Sequence, residues 1–252
     1  MDAIVPVHLL GSPFNIKELF EFTKKFNLKA VIDSAEALGA EHDQGMVGSD
    51  DFINCFSFNG NKIITTGGGG MITTNSDLIA SKLKHLTTTA KRDPIFFIHD
   101  EVGHNYRLVN LLAALGRSQL LKLNKFLEIK RKIHKTYKEK LDERVVTLFE
   151  EPLGVRSNYW LNMITVSDKI ISEIGLNEII NYFYNLGIEV RPLWSIITDL
   201  KPYINSQKDD LSSSYNVWNN SLCIPSSTTL SKDDLNIVVE SVNSIGSLVK
   251  AT

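Results

Sequence analysis

The sequence has few cysteines, no long apolar run and almost no excess of charge of either sign. Only Cys55 and Cys223 occur among 252 residues, which excludes a disulfide scaffold and predicts a reducing, cytoplasmic environment. Lysine and arginine number 27 against 29 aspartates and glutamates, so no global field favours nucleic acid or a membrane surface. No stretch has the length of a membrane-spanning helix, and the first residues lack the features of a signal peptide. These absences predict a soluble protein.

The first quarter of the chain alternates strand-like and helix-like stretches. Its 43% hydrophobic content is enough for a real core, in one large domain or two smaller ones. Residues 16–26 have helical apolar spacing, and strands are predicted over 3–10, 29–33, 53–58 and 70–74. This order predicts an α/β fold with a mostly parallel sheet, in which ligands bind at the carboxyl ends of strands. Asp33 and Ser57 lie where two such strands end.

The second half begins with a long helical region and then alternates again. The helical region, from about residue 107 to 141, exceeds an average helix, which is compatible with a break. Further predictions are strands over 159–166 and 188–193, and helices over 172–187 and 233–249. The pattern predicts a large domain (1–120), a connecting helix (121–150) and a small C-terminal α/β domain (151–252).

The stretch "SFNGNKIITTGGGGM", residues 57–71, places one lysine between apolar strands and four glycines. Most lysines are surface amines. Lys62, however, is flanked by apolar strands, where partial desolvation favours the nucleophilic free amine. Such an amine forms Schiff bases with carbonyl compounds, including pyridoxal 5'-phosphate, which also needs a carboxylate at its ring nitrogen and donors for its phosphate. Asp33 is a candidate for the first of these groups and Ser57 for part of the second.

The four glycines, residues 67–70, match neither the dinucleotide fingerprint nor the phosphate loop, in which the lysine follows the glycines. Two interpretations stay open, and they are compatible. The glycines form a tight turn with positive φ angles between two strands, or they let the backbone pass close beside a bulky ligand.

Five longer motifs occur in order: "VPVHLLG", "VIDSAEALGA", "CFSFNGNKIITTGGGGMITT", "HDEVGHNYRLVNLLAALGRSQL" and "NYWLN", followed by "VRPLW". Together they resemble the DegT/DnrJ/EryC1/StrS aminotransferases, which use pyridoxal phosphate on nucleotide-linked keto sugars. The four glycines, "HLTTTAK" and "RPLW" point more narrowly to the LegC-like branch. The resemblance covers essentially the whole chain and implies the fold-type I transferase fold, with residues 1–120 as the cofactor-binding domain.

The resemblance also implies roles for individual residues. Lys62 matches the Schiff-base lysine, Asp33 the partner of the pyridine nitrogen, and Ser57 a phosphate-binding hydroxyl. Asn105 matches an asparagine that reaches the phosphate of the neighbouring subunit's cofactor. Glu36 lies where many family members have glutamine or histidine beside the cofactor ring.

Three further residues are weaker candidates for substrate or nucleotide contacts: His8, Arg107 and Arg191. For Arg191, in "VRPLW", a structural salt bridge is at least as good an interpretation. No metal site is predicted.

The resemblance further implies the reaction and the partners. We expect an aminotransferase for a UDP-linked 4-keto-6-deoxy sugar in glycan biosynthesis, with glutamate as amino donor and a homodimer as the assembly. The family carries a further N-terminal segment, whereas this sequence starts at the "VPVH" strand, so an inactive or partner-dependent fragment is the alternative. A nucleotide-binding module without covalent chemistry also fits the fold but leaves Lys62 unexplained.

Overall fold

A computed structural model of the chain describes residues 2–93 and 95–249. It divides into two compact units, the first made of Met1–Glu128 and Glu151–Trp160, the second of Ile129–Glu150 and Leu161–Thr252. Residues 1 and 250–252, at the outer limits of the predicted domains, lie outside the described residues.

The unit boundaries differ from the predicted domain limits at one segment in particular. Residues 151–160, predicted to start the small domain, belong to the first unit. The reason is a set of hydrogen bonds over long sequence distances, among them Arg156 N–H to the Glu41 carbonyl at 2.7 Å and Asn158 N–H to the Gly11 carbonyl at 3.1 Å. Such pairing between distant segments leaves no local signal in the sequence.

The elements of the first unit are β1 (Ala3–Ile4), α1 (Ile16–Phe26), β2 (Lys29–Asp33), β3 (Glu41–His42), β4 (Gly45–Met46), β5 (Ile53–Ser57), β6 (Gly70–Thr73), α2 (Asp77–Thr87), β7 (Lys91–Asp93), β8 (Ile98–His99), α3 (Asn110–Leu120) and the start of α4 (Leu123–Lys140). Those of the second unit are the rest of α4, β9 (Val146–Leu148), β10 (Asn162–Val166), α5 (Asp168–Ile174), α6 (Leu176–Asn185), β11 (Arg191–Pro192), α7 (Ser212–Asn220), β12 (Ser221–Ile224), α8 (Lys232–Asn243) and α9 (Ile245–Leu248).

The main sheet of the first unit has the order β1-β2-β5-β6. β1, β2 and β5 are parallel, and β6 returns antiparallel to β5. Ala30 and Ile32 of β2 are buried and pack with Ile16 and Leu19 of α1. The contact follows from the two periods, because alternate residues of a strand lie on one face and residues three apart lie on one face of a helix. Asn15 is the N-cap residue of α1, and its side chain accepts N–H groups of the first helical turn. The predicted α/β fold with a mostly parallel sheet is confirmed.

The sheet of the second unit has the order β11-β12-β10-β9 and is antiparallel throughout. The predicted helix over 172–187 is wrong in one respect, because two helices, α5 and α6, meet at Gly175. This glycine has φ +82° and ψ 151°, a conformation that is essentially restricted to glycine and ends a helix. The predicted strands over 3–10 and 188–193 are much shorter, since only Ala3–Ile4 and Arg191–Pro192 pair as strands.

The long helical region predicted from residue 107 consists of two helices. α3 ends at Leu120 and α4 begins at Leu123. In the part of the chain that the structure describes, no helix combines the length and apolarity needed to cross a bilayer.

The four glycines form the return from β5 to β6. Gly67 and Gly69 have φ +82° and +90°, which fits the interpretation as a tight turn. Gly70 is needed for a different reason: a Cβ on it would lie 2.3 Å from the Phe56 carbonyl oxygen on the paired strand. The glycine therefore allows β6 to approach β5 closely.

Gly70→Ala is expected to destabilise the first unit by about 1–3 kcal/mol, because the methyl group forces β6 away from β5. Gly60→Ala is the matched control in the connection between β5 and β6. A Cβ on Gly60 has no neighbour within 4 Å among the described residues. Urea unfolding of both variants measures the difference. Equal unfolding midpoints would contradict the close approach at Gly70.

Candidate active site

Asp33 and Ser57 lie at the carboxyl ends of two adjacent parallel strands, β2 and β5. Two backbone hydrogen bonds fix Asp33. Its N–H donates to the Pro6 carbonyl at 2.9 Å, and its carbonyl accepts the His8 N–H at 3.0 Å. Asp33 is opposite Cys55 in the sheet register, so Ser57 lies about 6.6 Å further along β5. Both side chains are half-buried. One edge of the sheet therefore presents a carboxylate and a hydroxyl.

Lys62 lies in the loop that follows β5. Its N–H donates to the Asn59 carbonyl at 3.1 Å, forming a tight turn after the strand. The next two residues, Ile63 and Ile64, are buried at 7% and 3% exposure. Their burial fixes the loop, so the lysine side chain, itself 13% exposed, has a defined position.

The Lys62 amine lies between Glu36 and Trp160. Its Nζ is 3.7 Å from Glu36 Oε1 and 4.0 Å from the centroid of the Trp160 ring. The second oxygen of Glu36 accepts the Leu10 N–H at 2.7 Å, and the indole N–H of Trp160 donates to the Asn61 carbonyl at 2.7 Å. The structure thus brings Lys62 and Glu36 together, and it adds Trp160, to which the sequence assigns no role.

Asn158 is a second residue that the sequence does not identify. Its Nδ2 donates to the carbonyls of Glu36 at 2.7 Å and Leu38 at 3.0 Å, and its Oδ1 accepts the Trp160 N–H at 2.8 Å. The side chain is 1% exposed, so each of these bonds is made away from water. Asn158 therefore ties the segment that carries Glu36 to the segment that carries Trp160.

The environment of Glu36 changes its proton affinity. Burial raises the pKa of the Glu36 carboxyl, while the Leu10 N–H and the nearby Lys62 oppose the shift and the negative charge of Asp33 adds to it. Asp33 and Glu36 therefore act on each other electrostatically, on the same side of the first unit as Lys62.

Asn105 and Arg107 lie in the segment between β8 and α3. Both are exposed, and Asn105 forms a backbone bridge with Thr88. Among the described residues, neither side chain has a hydrogen-bond or ion-pair partner. The assignment of Asn105 to the site of a neighbouring subunit stays a prediction.

Arg191 belongs to the second unit and is exposed on its surface. Its guanidinium pairs with Glu189, two residues earlier in the chain. This contact fits the alternative interpretation, a salt bridge, and such exposed pairs contribute little to stability.

His8, a weaker candidate for a substrate contact, lies beside the strand end that carries Asp33, to whose carbonyl its N–H donates. Its side chain is fully buried, stacks on Phe14 at 4.2 Å and accepts the Phe14 N–H through Nδ1 at 3.3 Å. Burial, and to a lesser extent the neighbouring His42, lowers the pKa of His8 to about 4, against an opposing effect of Asp50. This buried imidazole packs against Phe14, and its role as a substrate contact stays a prediction.

The burial of His8 predicts acid sensitivity. Because the unfolded chain binds this proton with a pKa near 6.5 and the folded chain only near 4, the stability of the first unit should fall as the pH drops through that window, by up to about 3 kcal/mol. Urea unfolding between pH 7 and 4 measures this. His8→Asn keeps an acceptor near the position of Nδ1 without the titration, and it should flatten the pH dependence. An unchanged slope in that variant would assign the effect to other groups.

His85, Asp100 and Glu101 form a cluster of potential metal ligands on the surface of the first unit. Asp100 Oδ1 is 2.7 Å from His85 Nε2, and Lys82 pairs with Glu101. Two cationic or potentially cationic side chains thus face two carboxylates. The cluster is charge-balanced by its own residues.

The chain is similar to known proteins in sequence and in fold. The sequence profile of the DegT/DnrJ/EryC1/StrS aminotransferase family matches residues 1–243. The chain is 32% identical over 242 residues to GDP-perosamine synthase of Escherichia coli O157:H7, covering 96% of the chain and 65% of that relative. It is 28% identical over 248 residues to dTDP-4-amino-4,6-dideoxy-D-glucose transaminase of Shigella dysenteriae, covering 97% and 66%.

Among solved structures, Helicobacter pylori PseC, an aminotransferase involved in the biosynthesis of pseudoaminic acid, superposes with a TM-score of 0.90 at 25% identity, covering 97% of this chain and 67% of PseC. The chain spans slightly less than two thirds of the length of the two curated relatives. By the match over almost all of its length, this chain belongs to the DegT/DnrJ/EryC1/StrS aminotransferase family.

Proposed function

We propose that the chain acts as a pyridoxal phosphate-dependent aminotransferase on a nucleotide-linked keto sugar. What supports this proposal is the position of Lys62, whose Nζ lies 3.7 Å from Glu36 Oε1 in the loop after β5, and that of Asp33 and Ser57 at the carboxyl ends of two adjacent parallel strands. Enzymes of this family depend on pyridoxal phosphate. The three groups fit that cofactor, which has a carbonyl carbon, a ring nitrogen and a phosphate.

Each residue has a separate task in this proposal. The cofactor, when bound, supplies an electron sink for the bond cleavage at the substrate carbon. The Lys62 amine would hold the cofactor through its carbonyl group and would move the proton of the reaction at Nζ. The Asp33 carboxylate would hold the proton on the ring nitrogen, and the Ser57 hydroxyl would donate to the phosphate.

The proposed substrate is a UDP-linked 4-keto-6-deoxy sugar, and the proposed amino donor is glutamate. Both are implied by the resemblance to the family and to its LegC-like branch. The relatives bear names of GDP- and dTDP-linked amino sugars, which supports a nucleotide sugar without fixing the base. Arg107 and Arg191, both exposed cations, remain candidates for contacts with the substrate phosphates.

The assembly is proposed to be a homodimer because one segment of the first unit exposes many large apolar side chains. Along residues 95–121 these are at least half exposed: Ile95, Phe96, Phe97, Ile98, Val102, Tyr106, Val109, Leu111, Leu120 and Leu121. Monomers rarely expose so much apolar surface in one region. Asn105 lies within this segment, so a two-fold contact through it would bring Asn105 to a neighbouring subunit.

We expect a dimer or larger assembly whose cofactor occupancy falls on dilution, since each site would need the partner's Asn105. Light scattering with parallel cofactor titrations at several protein concentrations tests this. A well-folded monomer that binds cofactor with concentration-independent affinity would contradict the shared site.

The proposed function is tested by adding pyridoxal phosphate to the purified chain and recording the visible absorbance of covalently bound cofactor, then adding glutamate. Loss of that band with formation of 2-oxoglutarate supports transamination. Covalent binding without a reaction with glutamate would favour the partner-dependent alternative. Absence of covalent binding would leave a nucleotide-binding module or an inactive chain.

A further inference from the structure

The Lys62 amine has an unusual pair of neighbours for an attachment lysine. On one side, Glu36 Oε1 is 3.7 Å from Nζ, and on the other the Trp160 ring centroid is at 4.0 Å. The side chains of Lys62 and Glu36 are 13% and 12% exposed, and Trp160 is 4% exposed. Both attractions act on the positive charge and are stronger where water is excluded.

Glu36 and Trp160 are held in place without help from the lysine. Glu36 accepts the Leu10 N–H through its other carboxylate oxygen. The Trp160 ring is fixed by its bond to the Asn61 carbonyl, and its backbone by Asn158. The two partners therefore keep their positions whether or not the amine lies between them.

We propose that Glu36 and Trp160 form a clamp that holds the charged end of the Lys62 side chain in one position whenever its amine is not bonded to a cofactor. The inference rests on the proposed function and deepens it, because it assigns two positioning residues to the attachment lysine. An ammonium has no lone pair and does not attack a carbonyl carbon. The clamp thus keeps the amine in one place between cycles and lowers its reactivity while both partners contact it.

An ordinary structural ion pair would make a different prediction. If Glu36 served only to fix the backbone at Leu10, an isosteric neutral side chain would keep that bond and leave the reactivity of the amine unchanged. The clamp requires the charge of Glu36 and the ring face of Trp160. The two interpretations therefore differ in the chemistry of one named nitrogen.

The experiment is trace acetylation of the cofactor-free chain with acetic anhydride at pH 7. Peptide mass spectrometry gives the labelling of Lys62 relative to Lys17, an exposed lysine of α1. Glu36→Gln removes the charge while its Oε1 still accepts the Leu10 N–H. We expect Lys62 labelling to rise about tenfold or more in Glu36→Gln, since the amide removes the opposite charge that lies 3.7 Å from Nζ.

Variants of the aromatic face complete the test. Trp160→Leu should raise Lys62 labelling about threefold, whereas Trp160→Phe, which keeps a ring, should stay close to the parent. Glu18→Gln, an exposed carboxylate of the same unit, is the matched control and should leave the ratio unchanged. If Trp160→Leu does not fold by circular dichroism, Glu36→Gln decides alone.

Equal or slower labelling of Lys62 in a folded Glu36→Gln protein would overturn the clamp. A separate measurement distinguishes this from failure of the proposed function: borohydride reduction of the parent with pyridoxal phosphate, followed by peptide mapping. Faster acetylation in Glu36→Gln with no cofactor label on Lys62 would keep the clamp and reject the attachment role. A cofactor label on Lys62 with unchanged acetylation would do the reverse.

Discussion

Replacing Lys62 by alanine is expected to abolish covalent attachment of pyridoxal phosphate completely. The reason is geometric: in the described part of the first unit, Lys62 is the lysine fixed at the strand-end loop beside Glu36 and close in sequence to Ser57. Borohydride reduction of the chain incubated with cofactor, followed by peptide mapping, gives the result directly.

Two further variants make the Lys62 test specific. Lys62→Arg keeps a cation against Glu36 and Trp160 but has no nucleophilic amine at neutral pH, so it should fold like the parent and still fail to attach the cofactor. Lys17→Ala, which removes an exposed surface amine paired with Asp43, should attach it normally. A reduced cofactor found on Lys91 or any other lysine of the parent would refute the assignment.

Asp33→Asn is expected to leave covalent attachment intact and to slow the half-reaction with glutamate by about 10²–10⁴-fold. The amide has the size of the carboxylate, and its oxygen is still able to accept the Ala35 N–H, which Asp33 Oδ1 accepts at 3.0 Å. It has no negative charge, however, to hold a proton on the ring nitrogen of the cofactor. Stopped-flow absorbance after mixing the loaded protein with glutamate measures the rate.

The control for Asp33 is Asp51→Asn, since Asp51 is an exposed carboxylate in the same unit. The half-reaction should proceed at the parent rate in that variant. An Asp33→Asn protein with an unchanged rate would remove Asp33 from the role that the sequence predicts for it. Loss of cofactor attachment in Asp33→Asn would instead assign it to binding.

The parts of the site that the sequence predicts are those that depend on local pattern. Asp33 and Ser57 follow buried strands whose alternation is visible in the letters, and parallel strands end at a common edge. Lys62 lies in the loop between β5 and the four glycines. One of these glycines, Gly70, allows β6 to approach β5 closely. Periodicity and turn chemistry place these three residues at two strand ends and a loop, while their roles stay predictions that the family resemblance implies.

The remaining parts depend on contacts between distant segments. Trp160 and Asn158 reach the site across about a hundred residues, and no periodic pattern marks a ring that faces an amine. His8 is a case that local sequence does not decide. A histidine that follows a strand has the same neighbours in sequence whether its side chain faces a ligand or the core. The apolar spacing of residues 172–187 predicts one continuous helix, but Gly175 divides it into two. The spacing of apolar residues does not report the φ angle of a single residue.

The return of residues 151–160 to the first unit has a consequence for biosynthesis. A ribosome that has made Lys62 must add about a hundred more residues before Trp160 exists, which takes about 5–20 s at ordinary elongation rates. During that interval the nascent chain already contains Glu36 and the loop but has neither the aromatic face nor the Asn158 bonds. The first unit therefore cannot mature from residues 1–128 alone, and its completion waits until residues 151–160 have left the exit tunnel.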